Sequence, residues 1–379
     1  MVNVTTKRKE MIDLNQKDAA VQPSAASVIE QMTSMDHEQV LFCQDKATGL
    51  KAIIAVHNTT LGPSLGGTRM WNYATEAEAL TDVLRLSRGM TYKSALAGLN
   101  LGGGKAVIIG DSRSQKTEQL FRRFGKFVNS LGGKYITAED VGISTRDIEW
   151  VSMETEHVAG LPEYLGGSGD PSPVTAYGVY MGMKASAKKR WGNDSLGGKK
   201  VVVQGVGSVG EVLVDHLVKE GAVVSISDIH EPTVKRIVET YGVTALAPDE
   251  VYDADMDIYA PCALGATVND ETLKRLKCSI ICGAANNQLA DEKKHGEIVR
   301  EKGILYAPDY LVNAGGIINC YWEVIGYHRD AALKQAEEIY QTTLNIYEKS
   351  ENEGIPAYLA ANILAEERIN AIGKVHLSF

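Results

Sequence analysis

The sequence predicts an α/β protein of two domains with a cleft between them. The chain has 379 residues, which is more than one ordinary hydrophobic core holds, so two domains are expected. Short β-rich apolar runs alternate with segments of helical periodicity, as in α/β folds. In the second half, one strand leads directly into a glycine-rich turn and a helix, the pattern that opens a doubly wound parallel sheet.

The composition argues against several classes of function. Hydrophobic residues make up 44% of the chain and charged residues 23%, which is typical of a soluble globular protein. The net charge of −9 disfavours binding of nucleic acid, and no apolar run approaches the roughly 18 residues of a membrane span. The five cysteines are scattered and show no zinc-ligand spacing, so we expect no disulfide framework, no metal site and a cytoplasmic location.

The elements of the first half follow from local patterns. The β-rich runs 39–44 and 50–57 predict two strands. Thr75 and Glu78 predict a capping box, in which Glu78 bonds back to the start of a helix with apolar residues at helical spacing. Thr117 begins another helix. The run 134–138 predicts a strand that leads to Glu139-Asp140-Val141-Gly142.

The stretch 160–173 is rich in Gly, Pro and Ser, and we place the domain boundary there. Residues 1–26 are assigned to an N-terminal extension, because they lack the apolar core of a secretion signal. Residues 27–160 form the first domain and 161–356 the second. A final amphipathic helix within 357–379 is expected to join the first domain.

Two lysines and a run of glycines indicate chemistry on a small anionic substrate. Gly102-Gly103-Gly104 runs into Lys105, and Lys93 lies twelve positions upstream. Glycines let a small ligand approach the backbone closely, and a lysine shielded from water can serve as a base while a second, charged lysine grips a carboxylate. A phosphate loop is disfavoured, because Leu99 and Ala106 replace the required Gly and Ser or Thr. A glycine-rich turn before the strand 105–109 is the structural alternative.

The second half carries a dinucleotide signature. A strand over 199–204 is followed at once by Gly205-Val206-Gly207-Ser208-Val209-Gly210 and a helix, and a strand over 222–227 ends at Asp228. The glycines permit a tight turn and close approach of a pyrophosphate to the helix N-terminus. Asp228 would accept from ribose hydroxyls and repel a 2′-phosphate, which predicts a Rossmann-type domain that binds NAD rather than NADP. A purely structural strand–turn–helix is the alternative.

Further motifs occur in order along the chain. They are Thr60-Leu61-Gly62-Pro63-Ser64-Leu65-Gly66-Gly67, Gly89-Met90-Thr91-Tyr92-Lys93, Ala138-Glu139-Asp140-Val141-Gly142, Ala285-Asn286-Asn287-Gln288 and Asn313-Ala314-Gly315-Gly316. Over about residues 37–372 the chain therefore resembles the glutamate/leucine/phenylalanine/valine dehydrogenases. The resemblance implies that the first domain is catalytic, that the second binds NAD, and that an L-amino acid is reversibly deaminated to its 2-oxo acid and ammonia. It also implies a homo-oligomer, commonly an octamer.

The resemblance assigns roles by motif position. Lys93 would hold the substrate carboxylate, Lys105 would activate water as a base, and Asp140 would move protons at the amino group. Thr175, Asn287 and Asn313 would orient nicotinamide and substrate. Physical chemistry agrees with these roles, because hydride leaves Cα for nicotinamide and the protein need only orient, shield and move protons.

Leu65 favours an aliphatic substrate. Glutamate-specific relatives carry a lysine at this motif position, and burying an unpaired carboxylate against leucine would cost several kcal/mol. Thr137-Ala138-Glu139-Asp140 resembles the leucine-specific members, and a pocket separates one methylene by only about 1–3 kcal/mol, so leucine, isoleucine and valine are all expected substrates. The residues expected to contact substrate are Lys93, Leu65, Gly66, Gly67, Ala138, Asn287, Asn313, Ile317 and Cys320.

One segment departs from the family pattern. Cys320-Tyr321-Trp322-Glu323-Val324 stands where the family usually has Val-Ala-Asp-Glu-Leu, which leaves the fine shape of the pocket open. A phenylalanine-specific enzyme of the same family is one alternative. A non-catalytic NAD-binding sensor or scaffold is another, but a sensor has no need of Lys93, Lys105 and Asp140 together.

Overall fold

The computed structural model describes residues 27–376, so the predicted extension 1–26 and residues 377–379 lie outside it. The predicted α/β fold of two domains is confirmed, with one five-stranded and one six-stranded sheet. The strands of the first sheet are Gln39–Asp45 (β1), Leu50–Asn58 (β2), Ser64–Trp71 (β3), Gly102–Ile109 (β4) and Tyr135–Glu139 (β5). Those of the second are Lys200–Gln204 (β6), Val223–Ser227 (β7), Thr244–Ala245 (β8), Ile258–Pro261 (β9), Ile280–Ile281 (β10) and Leu305–Tyr306 (β11).

Helices cover both sheets. In chain order the α-helices are Val28–Met35 (α1), Glu76–Leu96 (α2), Glu118–Asn129 (α3), Thr145–Ser152 (α4), Ser172–Trp191 (α5), Ser208–Lys219 (α6), Glu231–Tyr241 (α7), Thr272–Arg275 (α8), Glu292–Glu301 (α9), Asp309–Val312 (α10), Gly315–Ile325 (α11), Arg329–Glu353 (α12) and Ala357–His376 (α13). Short 3₁₀ turns occur at Glu163–Leu165 and Val251–Asp253. None of the helices in the described range combines the length and the apolar character needed to cross a membrane.

The first sheet has the strand order β1-β2-β4-β3-β5. Strand β2 is antiparallel to β1 and β4, whereas β3 is parallel to β4 and β5. On one face Ile54 belongs to a core with Phe121 of α3, and on the other Ile53 belongs to a core with Val83 of α2. Because helices cover both faces, β2 is a nearly continuous apolar run rather than an alternating one.

The three glycines before Lys105 lie inside strand β4, which corrects the prediction of a loop that a ligand approaches. A Cβ on Gly103 would lie 2.1 Å from the amide nitrogen of Thr91 in α2, and one on Gly102 would lie 1.9 Å from the carbonyl oxygen of Asn58 in β2. Helix α2 and the neighbouring strand, rather than a ligand, therefore approach the glycine backbone closely. This packing holds Lys93 of α2 near Lys105 of β4.

The second sheet has the order β11-β10-β9-β6-β7-β8 and consists of parallel strands. The predicted strand, glycine turn and helix are present as β6, residues 205–207 and α6. Strand β6 lies between β7 and β9, so connections leave it in opposite directions. The crevice at its carboxyl end is therefore the topological switch point, where ligands bind in open α/β sheets.

Two helix starts follow from the sequence, one of them with a difference. The Thr117 hydroxyl accepts from the Leu120 amide at 3.2 Å, as an N-cap does. The Thr75 hydroxyl accepts from the Glu78 amide at 3.1 Å, but the Glu78 carboxylate accepts from the Ala74 amide. The reciprocal bond of the predicted capping box thus lies one residue earlier.

The last helix packs on the first domain. The Arg368 guanidinium of α13 donates to the carbonyl oxygens of Ala95 and Leu99 at 3.1 and 2.8 Å. The Tyr92 hydroxyl of α2 donates to the Glu366 carboxylate of α13 at 2.7 Å. These bonds tie the end of the described chain to the helix that carries Lys93.

Candidate active site

A cavity of about 1100 Å³ lies between the two sheets and is lined by both halves of the chain. It brings together nine residues predicted from the sequence: Leu65, Gly67, Lys93, Lys105, Ala138, Asp140, Asn287, Ile317 and Cys320. Within residues 27–376, no group of three or more His, Cys, Asp or Glu side chains is arranged to hold a metal ion. The cavity lining carries lysine, carboxylate and amide groups, which can bind a small polar substrate and move protons on it.

Strand β3 contributes every second residue to the cavity lining. Leu65, Gly67 and Arg69 line the cavity, because every second residue of a strand faces the same side. Gly66, a predicted substrate contact, lies outside this lining. A Cβ on Gly66 would lie 1.8 Å from the carbonyl oxygen of Gly104, so the residue permits close packing of β3 on β4 instead.

Lys105 and Asp140 form an ion pair at the centre of the first domain's side of the cavity. The Lys105 Nζ lies 2.7 Å from Asp140 Oδ2, and Lys105 is only 6% exposed. Lys105 projects from β4, and Asp140 follows directly after β5. Burial alone would raise the pKa of the Asp140 carboxyl, but the Lys105 ammonium and the Arg69 guanidinium outweigh it and hold that pKa below its ordinary value.

Arg69 is a site residue that the sequence reasoning missed. Its Nε lies 3.3 Å from Asp140 Oδ2, and its Nη1 lies 3.0 Å from Asp82 Oδ2. The Tyr73 hydroxyl donates to the same Asp82 oxygen at 2.6 Å, so Arg69 is held from behind. The signal was present in the sequence, because Arg69 follows Leu65 and Gly67 at the two-residue period of a strand.

Lys93 reaches the cavity from α2 and contacts the other domain. Its Nζ donates to Asn286 Oδ1 at 3.5 Å. Burial lowers the pKa of Lys93 to about 8, while the Asp309 carboxylate opposes the change and Lys105 reinforces it. The lysine with the depressed pKa is thus the predicted carboxylate-binding residue. Asn286 and Asp309 were not singled out from the sequence.

The amide residues of the second domain form a connected group. The Asn313 Nδ2 donates to the Ala284 carbonyl at 3.1 Å and to Asn286 Oδ1 at 2.7 Å, so Asn313 lies behind the lining and supports Asn286. Asn287 lines the cavity with φ of +51°, a conformation that Asn tolerates better than most residues. Thr175, in the first turn of α5, donates its hydroxyl to the Pro171 carbonyl at 3.0 Å.

Apolar residues from both domains also line the cavity and are here called the apolar wall. Leu65 and Ala138 come from β3 and β5, whose register pairs Gly67 with Ala138. Ile317 and Cys320 come from α11 in the second domain. Leu65 is 2% exposed, and burial raises the pKa of the Cys320 thiol to about 12, so that thiol is neutral. The wall offers no charge to a substrate side chain.

The glycine-rich turn has the shape of a dinucleotide site. Gly205 has φ of +100°, and a Cβ on it would lie 2.5 Å from the Ala263 Cβ. A Cβ on Gly210 would lie 2.1 Å from the Gly205 carbonyl oxygen, so helix α6 packs tightly on the turn. Gly207, by contrast, faces open space, as expected where a pyrophosphate approaches the backbone. Ser208, Val209 and Gly210 form the first turn of α6, where backbone amides have no partner within the helix and are available to an anion.

Two further groups fit a dinucleotide. Asp228 directly follows β7, and its two carboxylate oxygens accept from the amides of Val206 and His230, each at 2.9 Å. The carboxylate therefore stands beside the glycine turn with lone pairs left for ribose hydroxyls. The Oδ1 of Asn313 is buried and meets no donor among the described residues, which fits a ligand with an amide N–H such as nicotinamide.

The ion pair lies on one domain, and the glycine-rich turn, which does not belong to the cavity lining, lies on the other. A polar cavity on one domain and a dinucleotide-type turn on the other is the organisation of a dinucleotide-dependent dehydrogenase. The chain belongs to the Glu/Leu/Phe/Val dehydrogenase family. Residues 37–157 match its dimerisation domain, and residues 166–231 and 229–376 match the Glutamate/Leucine/Phenylalanine/Valine dehydrogenase model. The family predicted from the motifs is confirmed, and membership implies a nicotinamide dinucleotide, NAD or NADP, as cofactor.

Individual relatives span nearly the whole chain. A leucine dehydrogenase of Bacillus subtilis (strain 168) is 56% identical over 92% of this chain and 95% of its own length. A leucine dehydrogenase of Thermoactinomyces intermedius is 54% identical over 93% of this chain and 96% of its own length. The crystal structure of L-tryptophan dehydrogenase from Nostoc punctiforme superposes with a TM-score of 0.83 at 46% identity, covering 91% of this chain and 99% of that one.

Proposed function

We propose that the chain catalyses the reversible, NAD-dependent oxidative deamination of branched-chain aliphatic L-amino acids. Leucine, with isoleucine and valine, is converted to the 2-oxo acid and ammonia. The observation that carries this proposal is the single cavity that holds the Lys105–Asp140 pair, Lys93 and the apolar wall around Leu65. A non-catalytic NAD-binding sensor is less well supported, because it has no use for a lysine paired with an aspartate beside a carboxylate-binding lysine.

The residues divide the work by their placement. Lys93 binds the substrate carboxylate through its ammonium, supported by Asn286. Once the Lys105 ammonium has given up its proton, its neutral amine takes a proton from the attacking water, and Asp140, at 2.7 Å, moves protons to and from the amino group. When bound, the dinucleotide supplies the acceptor for the hydride that leaves Cα. Thr175, Asn287 and Asn313 orient the nicotinamide and the substrate.

The dinucleotide is held by the glycine-rich turn, the first turn of α6 and the acid after β7, which are Gly205, Gly207, Ser208, Val209, Gly210 and Asp228. Asp228 selects NAD over NADP. Its carboxylate would repel a 2′-phosphate and accept from ribose hydroxyls. Removing Asp228 while adding a nearby basic residue is expected to shift the ratio of kcat/KM toward NADP. Equal use of NADP and NAD by the unmodified protein would contradict this role.

The substrate assignment is tested by reduction of NAD with a panel of L-amino acids at alkaline pH. We expect the highest kcat/KM for leucine, isoleucine and valine, because the wall of Leu65, Ala138 and Ile317 is apolar and uncharged. Phenylalanine is the second candidate, since a family member that acts on an aromatic amino acid superposes closely. A higher kcat/KM for phenylalanine than for leucine would assign it, and no reduction by any amino acid would refute the proposal.

Leu65→Lys tests the pocket directly. It places an ammonium where an isobutyl group packs, and desolvating an unpaired charge is costly. We expect the leucine-to-glutamate ratio of kcat/KM to fall at least about tenfold, or roughly 1.4 kcal/mol of differential transition-state binding. An unchanged ratio in a folded variant would mean that Leu65 does not face the substrate side chain.

The remaining assignments concern organisation. We propose that 27–160 with the helix in 357–379 form the catalytic domain and that 161–356 bind the cofactor, which the bonds of Arg368 to Ala95 and Leu99 support. A homo-oligomer, octameric as is common in the family, is supported by the match of residues 37–157 to a dimerisation domain. A cytoplasmic location is supported by the free state of the five cysteines.

A further inference from the structure

Glu323 lies on the face of helix α11 that borders the cavity. It follows Gly316 by seven residues and Cys320 by three, so the three share one face of the helix. Gly316 and Cys320 line the cavity, whereas the carboxylate of Glu323 contacts the segment that joins the two domains. Glu323 also belongs to the stretch 320–324 that departs from the family pattern, although the glutamate itself keeps its place there.

This one carboxylate accepts four hydrogen bonds. Its Oε2 accepts from the Gly160 amide at 3.0 Å, the Ser168 amide at 2.9 Å and the Ser168 hydroxyl at 2.5 Å. Its Oε1 accepts from the Leu161 amide at 3.1 Å. Bonds from backbone amides to an ionised carboxylate are roughly twice as strong as neutral ones. They fix both ends of residues 160–168, here called the wall segment, to helix α11.

The wall segment borders the same cavity as the catalytic pair. Gly160, Leu161, Pro162 and Ser168 belong to the cavity lining together with Cys320 of α11. The separation between this segment and α11 therefore determines how much room the cavity has at this side. Because Glu323 bonds both ends of the segment, it sets that separation.

The residues just before the wall segment are held by strand β5 of the first domain. The Thr137 amide of β5 donates to the His157 carbonyl at 3.1 Å, and the Ala159 amide donates to the Thr137 carbonyl at 2.8 Å. One residue later, Gly160 bonds to Glu323 and has φ of +81°. From Gly160 onward both domains hold the wall segment. Leu161 packs against the core of the first domain, and the Tyr164 hydroxyl donates to the Glu149 carboxylate of α4. Glu323 adds the bonds that tie both ends of the segment to α11.

We propose that Glu323 is a positioning residue that holds the wall segment against α11 and so determines which substrate side chains fit beside Cys320. This proposal rests on the proposed function, because the preference of the protein among amino acids of different size reports how much space the cavity leaves beside Cys320. Loss of the carboxylate frees the ends of the segment and widens the cavity. Larger side chains then gain relative to leucine, while groups on the dinucleotide side are unaffected.

The test compares Glu323→Gln with Glu338→Gln, an exposed glutamate of the neighbouring helix α12. Glutamine keeps the shape but presents an NH₂ group to N–H donors and removes the charge. We expect Glu323→Gln to lower the leucine-to-phenylalanine ratio of kcat/KM at least about fivefold, within the range that pocket contacts discriminate, mainly through a higher KM for leucine. The Kd for NADH should stay unchanged, and Glu338→Gln should keep the unmodified ratio.

An unchanged leucine-to-phenylalanine ratio of kcat/KM would overturn the proposal if the Glu323→Gln protein is folded, as a cooperative thermal unfolding transition would show. If that variant does not fold, Ser168→Ala replaces it, because it removes the hydroxyl donor and keeps the backbone amide. It should lower the same ratio by at least about twofold, and an unchanged ratio would again overturn the proposal. Failure of the unmodified protein to oxidise any amino acid would refute the proposed function instead, so the two failures are distinguishable.

Discussion

At the scale of single residues, the oxygen atom Asp140 Oδ2 lies beside two cationic side chains of the cavity. Asp140 Oδ2 lies 2.7 Å from the Lys105 ammonium and 3.3 Å from the Arg69 guanidinium. A carboxylate between two cations stays ionised even when it is largely buried. Asp82 and Tyr73 restrain Arg69 in turn. The pair Lys105–Asp140 is therefore oriented by a chain of contacts along β3 and the residues after it.

Lys105→Ala removes the proposed base and leaves the glycine-rich turn unchanged. We expect kcat to fall at least about 10²-fold, because general-base catalysis contributes about that much. NADH binding, followed by fluorescence titration, should survive. Near-normal turnover in this variant would contradict the assignment of Lys105.

Arg69→Gln removes one of the two cations beside Asp140. The pKa of Asp140 is depressed, and loss of the guanidinium lets it rise, so the carboxylate becomes protonated at higher pH than before. We expect the variant to lose more kcat/KM at pH 6 than at pH 9. Arg122→Gln, which breaks a partly exposed ion pair with Glu154 that does not involve Asp140, serves as the control and should show no such pH dependence. An equal loss at both pH values would indicate a structural effect of Arg69 alone.

Helix α2 and strand β4 form the element pair that places both lysines. Gly103 lets α2 pack against β4, because its missing side chain leaves room for the backbone of Thr91. Lys93 follows Thr91 by two residues, and Lys105 follows Gly103 by two. The distance between the two ammonium groups in the cavity thus depends on how closely the helix approaches the strand.

Gly103→Ala should destabilise the protein, since the new Cβ would lie 2.1 Å from the Thr91 amide nitrogen. Overpacking of this kind typically costs about 1–3 kcal/mol in the free energy of unfolding. Gly89→Ala is the matched control in α2, because nothing lies within 4 Å of its Cβ position. It should raise helix stability by about 0.5–1 kcal/mol. Denaturant unfolding at one protein concentration measures both, and a stable Gly103→Ala protein would contradict the packing argument.

The elements that could be predicted are those whose signals are local. The unit of β6, the glycine turn and α6 depends on neighbouring residues only, and so do the caps at Thr75 and Thr117. The resemblance carried by the ordered motifs predicted that Lys93, Lys105 and Asp140 act at one site, and all three line the same cavity. The three glycines of β4 were placed in a loop, because the sequence does not show that a helix will lie on that strand.

The contacts that could not be predicted join distant segments. Glu323 bonds to Gly160 across 163 positions, and no periodicity or spacing connects the two. Lys93 meets Asn286 across 193 positions, in the other domain. Such contacts depend on how the two domains pack together. The position of Gly66 was also missed, although the two-residue period of β3 already placed it on the face opposite Leu65.

At the scale of the whole molecule, groups of both domains surround Lys93. The lysine belongs to α2, yet its Nζ lies 3.5 Å from Asn286 Oδ1, and the carboxylate of Asp309 in α10 raises its pKa against the effect of burial. The charge available for a substrate carboxylate therefore depends on groups from both sides of the cavity. A substrate bound to Lys93 is in turn held where the two domains meet.

This arrangement predicts how substrate affinity depends on pH. Since the pKa of Lys93 is lowered to about 8, its ammonium is present below that pH and is lost above it. The 2-oxo acid of leucine has no titrating amino group, so its KM at saturating ammonia and NADH reports the lysine directly. We expect this KM to rise as pH increases through 8, by up to about tenfold per pH unit, because the anion binds the protonated lysine. Lys93→Arg, whose side chain stays charged, should flatten the rise although its different head group weakens binding overall. The Kd for NADH should stay level between pH 7 and 9.5, and a KM for the 2-oxo acid that is equally level would show that Lys93 does not bind its carboxylate.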